Sequence, residues 1–100
     1  MNNEPERGSV VLAINRALLG EVSPSFRAIY FKVEEGTLHL HFIIDGVPSA
    51  DDIDSIHDIG GETIASFNDL NIVEEWTTVN HPEKIQMPPG WEPVFHRKEP

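Results

Sequence analysis

The sequence predicts an α+β fold, a two-layer sandwich in which two helices cover one face of a mostly antiparallel sheet. Three observations carry this. Residues 10–18 and 53–67 repeat apolar side chains at helical spacing, residues 26–34 and 37–44 alternate around a short turn, and residues 71–79 and 91–97 are rich in β-branched and aromatic residues. The predicted order is helix, strand, strand, helix, strand, strand, and runs of strands between helices favour segregated layers.

Residues 1–8 are polar, contain Pro5 and Gly8, and are expected to form a mobile tail ahead of one domain spanning residues 9–99. Ser9 is the expected N-cap of the first helix and Gly20 its C′ residue, with Val10, Val11, Ile14, Ala17 and Leu18 on one face. Pro24 and Ser25 break the chain. Strict alternation then places Arg27, Ile29, Phe31 and Val33 on one face and Phe26, Ala28, Tyr30 and Lys32 on the other. Glu35-Gly36 forms a tight turn, and Leu38, Leu40, Phe42 and Ile44 alternate with Thr37, His39, His41 and Ile43. Ile29, Phe31 and Val33, with Leu38, Leu40, Phe42 and Ile44, are expected to face the helices.

Asp45-Gly46-Val47-Pro48 ends the hairpin, and Ser49 caps a helix running to about residue 68. Asp51 and Asp52 sit in its first turn, where the helix dipole favours negative charge. Ile53, Ile56, Gly60, Ile64 and Phe67 form its apolar stripe. Two glycines inside a helix, Gly60 and Gly61, cost about 1 kcal/mol each relative to Ala. They fit close packing of the helix on the sheet, with a kink as the alternative. Residues 81–90 hold Pro82, Pro88 and Pro89, and Pro93 puts the last strand at a sheet edge or delays its start. Trp91 and Phe95 are expected to complete the core while Arg97 and Lys98 stay solvated.

Composition narrows the function. The chain has 100 residues, 39% of them apolar, and no cysteine, so disulfides and thiolate metal sites are excluded. Its first residues lack the basic and apolar regions of a signal peptide, and no apolar run nears the ~20 residues of a membrane span. The expected location is the cytoplasm. Seventeen carboxylates oppose seven Lys and Arg, a net charge of −10. Neither nucleic acid nor an anionic membrane is an expected partner, because both select cationic surface; a basic protein is favoured.

No motif points to catalysis. Nucleophile elbows, phosphate loops and dinucleotide fingerprints are missing. His39 and His41 have a spacing that suits metal ligation, but no third or fourth ligand is identifiable. Both are read as solvent-face strand residues, and no metal or cofactor is expected.

Charge is distributed unevenly. Residues 33–83 contain no Lys or Arg, and that stretch of 51 residues holds twelve carboxylates. At about 100° per residue, Asp51, Asp54, Asp58, Glu62 and Asp69 cluster on the helix side opposite its apolar stripe. Asp54/Asp58 and Asp58/Glu62 are like-charge pairs one turn apart, each destabilising by a few tenths of a kcal/mol. A solvated face usually mixes both signs, so this one is read as a binding surface, with Glu74 and Glu75 and the 81–93 loop as neighbouring candidates.

The order and spacing of several segments carry a resemblance. They are Ala17-Leu18-Leu19-Gly20-Glu21-Val22-Ser23-Pro24 followed by Phe26-Arg27-Ala28-Ile29, then His41-Phe42-Ile43-Ile44-Asp45-Gly46, the acidic helix, and Gly90-Trp91 through Arg97-Lys98-Glu99. Over roughly residues 10–99 the chain resembles small bacterial immunity proteins of contact-dependent growth inhibition and related polymorphic toxin systems. The resemblance implies a cytoplasmic inhibitor, monomeric or weakly dimeric when free. It would bind and block a toxin domain, commonly a nuclease at the C-terminus of a large secreted or surface protein. It supplies no catalytic residues and no transferable contact residues. The alternative is a homo-oligomeric structural module, paired through the edge strand near Trp91, with no toxin partner.

Overall fold

The computed structural model describes residues 4–100. It contains α1 (Arg7–Ala17), β1 (Phe26–Glu34), β2 (Thr37–Ile44), α2 (Ala50–Ile64), β3 (Asn71–Thr78) and β4 (Glu92–His96). The sheet order is β3-β2-β1-β4. Both β1 pairings are antiparallel and β2–β3 is parallel, so the α+β expectation holds with a mixed sheet. The parallel pairing follows from connectivity: α2 carries the chain back to the end of the sheet where β2 began, as a crossover helix does.

α1 starts two residues before the expected cap. Glu6 takes the N-cap position and Ser9 lies exposed within the first turn. Arg7 pairs with Glu92 of β4, and this tertiary contact draws the first turn onto the sheet edge. Residues 7 and 8 of the expected tail are therefore helical, whereas residues 1–3 lie outside the described residues. The helix ends at Ala17, and the following turn runs through Gly20 at φ 78°. Val10, Ala13, Ile14 and Ala17 face the core.

The β1–β2 turn places Glu35 at φ 50° and Gly36 at φ 74°. Two consecutive left-handed residues make the turn whose twist suits a two-residue hairpin. At the other end of β1, Phe26 pairs with Ile44 but Ala28 pairs with Ile43, a bulge at Arg27. The bulge reverses the alternation before it, so Phe26 joins the helix-covered core against Phe42, contrary to the face assigned from strict period two. Arg27 leaves that core for a polar network beneath the C-terminus.

α2 begins as expected. Ser49 Oγ accepts from Asp52 N at 3.0 Å, and Ser49 N donates to Asp52 Oδ2 at 3.0 Å, a reciprocal capping box. The helix stops at Ile64, short of residue 68. Its buried side is Asp52, Ile56, Ile59, Gly60 and Thr63; Ile53, Ile64 and Phe67 are only half-buried. The true stripe is thus rotated from the expected one towards Ile59, and Thr63 joins it because its hydroxyl donates to Ile59 O at 2.7 Å. The core lies between this face, α1, and Ile29, Phe31, Leu38, Leu40, Phe42 and Ile44. Among the described residues, no helix is long and apolar enough to cross a membrane.

β4 is an edge strand, and Pro93 sits beside a bulge that skips Val94 in the pairing with β1. Phe95 and Val94 pack against the core, whereas Trp91 lies on the opposite face of the sheet over His39 and His41. Trp91 therefore does not complete the core. The Pro-rich connection carries it across the open sheet face before β4 starts.

Candidate functional site

The exposed α2 carboxylates have no Lys or Arg on their helix. Asp51, Asp54, Asp58 and Glu62 are all exposed, and none forms an ion pair among the described residues. The ion pairs of the described cations lie elsewhere: Arg7–Glu92, Arg27–Glu99, Lys32–Glu34 and Arg97 with Asp45 and Glu99. Asp52 does not belong to the row, because it is buried in the cap. Burial pushes its carboxyl up, but hydrogen bonds from Ser23, Ser25 and Ser49 outweigh this and hold it below the ordinary aspartate range. Its Oδ2 accepts from Ser25 Oγ at 2.9 Å, which ties the start of α2 to the start of β1.

Asp69 is not on the helix face. With α2 ending at Ile64 it falls in the following loop, exposed, beside Glu35 and Phe67 at the mouth of a shallow cleft of about 320 Å³. The physical reason is the early helix end: Ala65 N still donates to Gly61 O, but Ser66 N then donates to Thr63 O and Phe67 N to Ile64 O in tighter turns.

Glu74 and Glu75 point to opposite faces of β3. Glu74 is mostly covered, its Oε1 2.6 Å from His57 Nδ1 on α2. A Cβ at Gly60 would fall 1.4 Å from Glu74 Oε2, so glycine is what lets the carboxylate lie against the helix. The close packing expected of the Gly60-Gly61 pair thus holds for Gly60 alone, and against an acidic side chain; Gly61 is exposed, with nothing within 4 Å of where a Cβ would stand. Trp76, two residues on, packs edge-to-face on His57 with centroids 6.5 Å apart and remains 38% exposed. Glu75 is exposed on the other face, near His41.

That other face carries a second cleft, about 340 Å³, lined by His41, Glu75, Thr77, Met87, Pro88 and Trp91 among others. His41 Nε2 lies 2.8 Å from Thr77 Oγ1, and burial, partly offset by Glu75, holds its pKa below the usual histidine value. His39 and His41 are half-buried beneath Trp91, whose ring also takes Lys32 Nζ at 4.8 Å from its centroid. Among the described residues no three His, Cys, Asp or Glu side chains group as a metal site.

The C-terminal segment is held by a buried polar network. Arg27, 4% exposed, donates through Nε and Nη2 to Glu99 at 2.7 and 2.9 Å, and through Nη1 to Val79 O and Glu83 O, both at 2.8 Å. Arg97 donates to the same Glu99, to Asp45 Oδ2 and to Pro24 O. Arg97 is thus a structural clamp and not the solvated cation expected. The Arg27 hydrogen bond, opposed by desolvation and reinforced by Arg97, lowers Glu99 to about 2. The network anchors the start of the 79–91 connection that roofs the second cleft.

The family model for MafI2 immunity proteins matches residues 7–99. The chain belongs to the MafI2 immunity protein family. No curated protein matches it. The match starts where α1 starts and ends on Glu99, so it takes in both helices, the sheet and the whole Arg27–Glu99–Arg97 network. The resemblance drawn from the segments along the chain is borne out at this level: a MafI2 immunity protein has a cognate toxin as its partner. Sequence reasoning missed His57, Trp76 and the cleft under Trp91. Only the exposed tryptophan left a trace, as an aromatic inside a strand whose neighbours are mostly polar.

Proposed function

We propose that this MafI2 family protein binds a basic nuclease toxin domain in the cytoplasm, one to one, and blocks it through the anionic row Asp51, Asp54, Asp58 and Glu62 on α2. The single observation that carries the reading is that this row is exposed and uncompensated within a stretch of 51 residues devoid of Lys and Arg. A groove that handles nucleic acid is cationic, and an inhibitor that covers it presents anions. Complementary charge accelerates encounter and sets orientation. The action is binding, with no chemical step.

The test is association kinetics with the cognate toxin domain, at low and high salt. The variant carries Asp54→Lys, Asp58→Lys and Glu62→Lys. Association should slow by at least about tenfold at low salt and lose most of its salt dependence, and protection of cells against the toxin should fall in parallel. Equal rates and equal salt slopes for both proteins would show that the row is only a hydrated face. The fold should survive, since all three side chains are exposed and the substitutions only exchange two anionic like-charge pairs for two cationic ones.

A further inference from the structure

The β3 end of the sheet is an open edge. β3 pairs with β2 on one side, and no described residue pairs with it on the other. Asn71 N donates to Gly36 O and Val79 N to Ile44 O, so the odd-numbered residues turn their backbone groups towards β2. In a parallel strand the N–H and C=O of one residue point to the same side. Ile72, Glu74, Trp76 and Thr78 therefore turn theirs outward, a regular row of donors and acceptors.

The two sheet edges differ. β4 is 5 residues long and carries Pro93 and a bulge, features that blunt an edge. β3 is 8 residues long, pairs with β2 without irregularity, and has no Pro or Lys. It presents Glu75 and the 38%-exposed Val73 on one face and the 38%-exposed Trp76 on the other. An open edge of this length is a template for another strand.

Charge selects the occupant. A second copy continuing the sheet in antiparallel fashion would, in its two fullest registers, set Glu74 opposite its own counterpart or Glu75 opposite its own. Directly opposed like charges destabilise a strand pair, and β3 has no cation to relieve them. A strand bearing cations meets no such opposition.

Building on the toxin-binding reading, we propose that the outer edge of β3 takes an extended segment of the toxin as a fifth strand. That segment carries Lys or Arg on the face beside Glu75 and an apolar side chain on the face beside Trp76. Main-chain bonds to Ile72, Glu74, Trp76 and Thr78 supply the docking; Glu75 and Trp76 supply the selection.

The experiment is amide hydrogen exchange, residue by residue, on the full chain alone and bound to its cognate toxin domain. In the free protein the amides of Glu74 and Trp76 exchange rapidly while those of Val73, Glu75 and Thr77 are protected. In the complex Glu74 and Trp76 slow by at least about tenfold, giving protection along the whole strand. Toxin binding without that change overturns the edge docking and leaves the toxin-binding reading standing; failure to bind the toxin overturns both. Trp76→Pro removes an outward N–H and no bond to β2, and should weaken binding by at least about tenfold. Glu75→Lys, at an exposed position, should weaken it several-fold with the fold intact by circular dichroism, and unchanged affinity in this variant counts against the proposal. A free-chain dimer in sedimentation that Trp76→Pro dissolves would make a second copy the occupant and overturn the choice made here.

Discussion

Replacing Arg27 with Met tests whether the C-terminal network holds the domain together. Methionine keeps the aliphatic stem and removes the guanidinium. The four hydrogen bonds lost are two to Glu99, at 2.7 and 2.9 Å, and two to the carbonyls of Val79 and Glu83, at 2.8 Å. Arg27 is 4% exposed, so water cannot replace it in place. Removing one partner from a buried, hydrogen-bonded charge pair costs about 3–5 kcal/mol. Some of this is recovered here, because Glu99 keeps Arg97 and Glu83 sits on an exposed turn. The expected loss is therefore about 3 kcal/mol, a large part of the ~5–15 kcal/mol that stabilises an ordinary domain. Urea unfolding at neutral pH reads it as a lower midpoint with an unchanged slope. Arg27→Lys should recover little, since a point charge cannot bridge Glu99 and two diverging carbonyls at once. A loss below about 1 kcal/mol for Arg27→Met would refute the reasoning and mean that the network is an ornament of an already stable core.

Three further outcomes are expected. Phe42→Ala and Ile59→Ala, both fully buried, should each cost about 2–5 kcal/mol in urea melts, and the half-buried Ile64→Ala less than half as much. Acid should destabilise the fold as pH falls from about 4.5 towards about 2: Glu99 is lowered from 4.5 to about 2, and Asp45 and Asp52 are lowered as well. The unfolded chain binds these protons first, so their contribution is present above the unfolded values and disappears below them; Glu99→Gln should flatten that acid limb in melts followed against pH. Gly60→Ala should stabilise by about 1 kcal/mol when Glu74 is already Ala, and by much less or not at all when Glu74 is present, a coupling that a double-mutant cycle measures.

Much of the fold is legible because local signals agree with it. The hairpin is announced by alternation on both sides of Glu35-Gly36, and α2 by Ser49 with Asp52 three residues on. Several of the fold-level failures involve a tertiary contact that no local signal encodes. The bulge at Arg27, which moves Phe26 into the core, depends on Glu99 lying 72 residues away. Arg7, at the start of α1, meets Glu92 of β4, a partner 85 residues away. The parallel β2–β3 pairing, and with it the open edge of β3, follows from where α2 returns the chain, which no local period encodes. At the candidate surface, period alone placed Asp54, Asp58 and Glu62 correctly on the exposed side of α2. It misplaced Asp69 because the helix ends at Ile64, about four residues sooner than expected, and it gave Glu74 and Glu75 as equals when the pleat sends them to opposite faces.

The distribution of cations gives the anionic face its meaning. Of the seven Lys and Arg residues, Arg7, Arg27, Lys32 and Arg97 form ion pairs, and each of these pairs involves β1, β4 or the chain flanking them. They fasten the termini and the 79–83 turn to the sheet. None reaches α2 or β3, which are joined instead by the contact between His57 Nδ1 and Glu74 Oε1. A fold selected only for stability would place a Lys one turn from Asp54, Asp58 or Glu62 and gain a few tenths of a kcal/mol at each position. On the proposed reading, the same substitution would weaken the field offered to a basic toxin. Leaving α2 uncompensated is a small stability cost, and it falls on the face that, in the proposed function, meets the toxin, beside a strand edge with free backbone groups. The two features lie on adjacent elements, joined by the His57–Glu74 contact, so a partner that docks a strand on β3 brings its neighbouring surface up against α2.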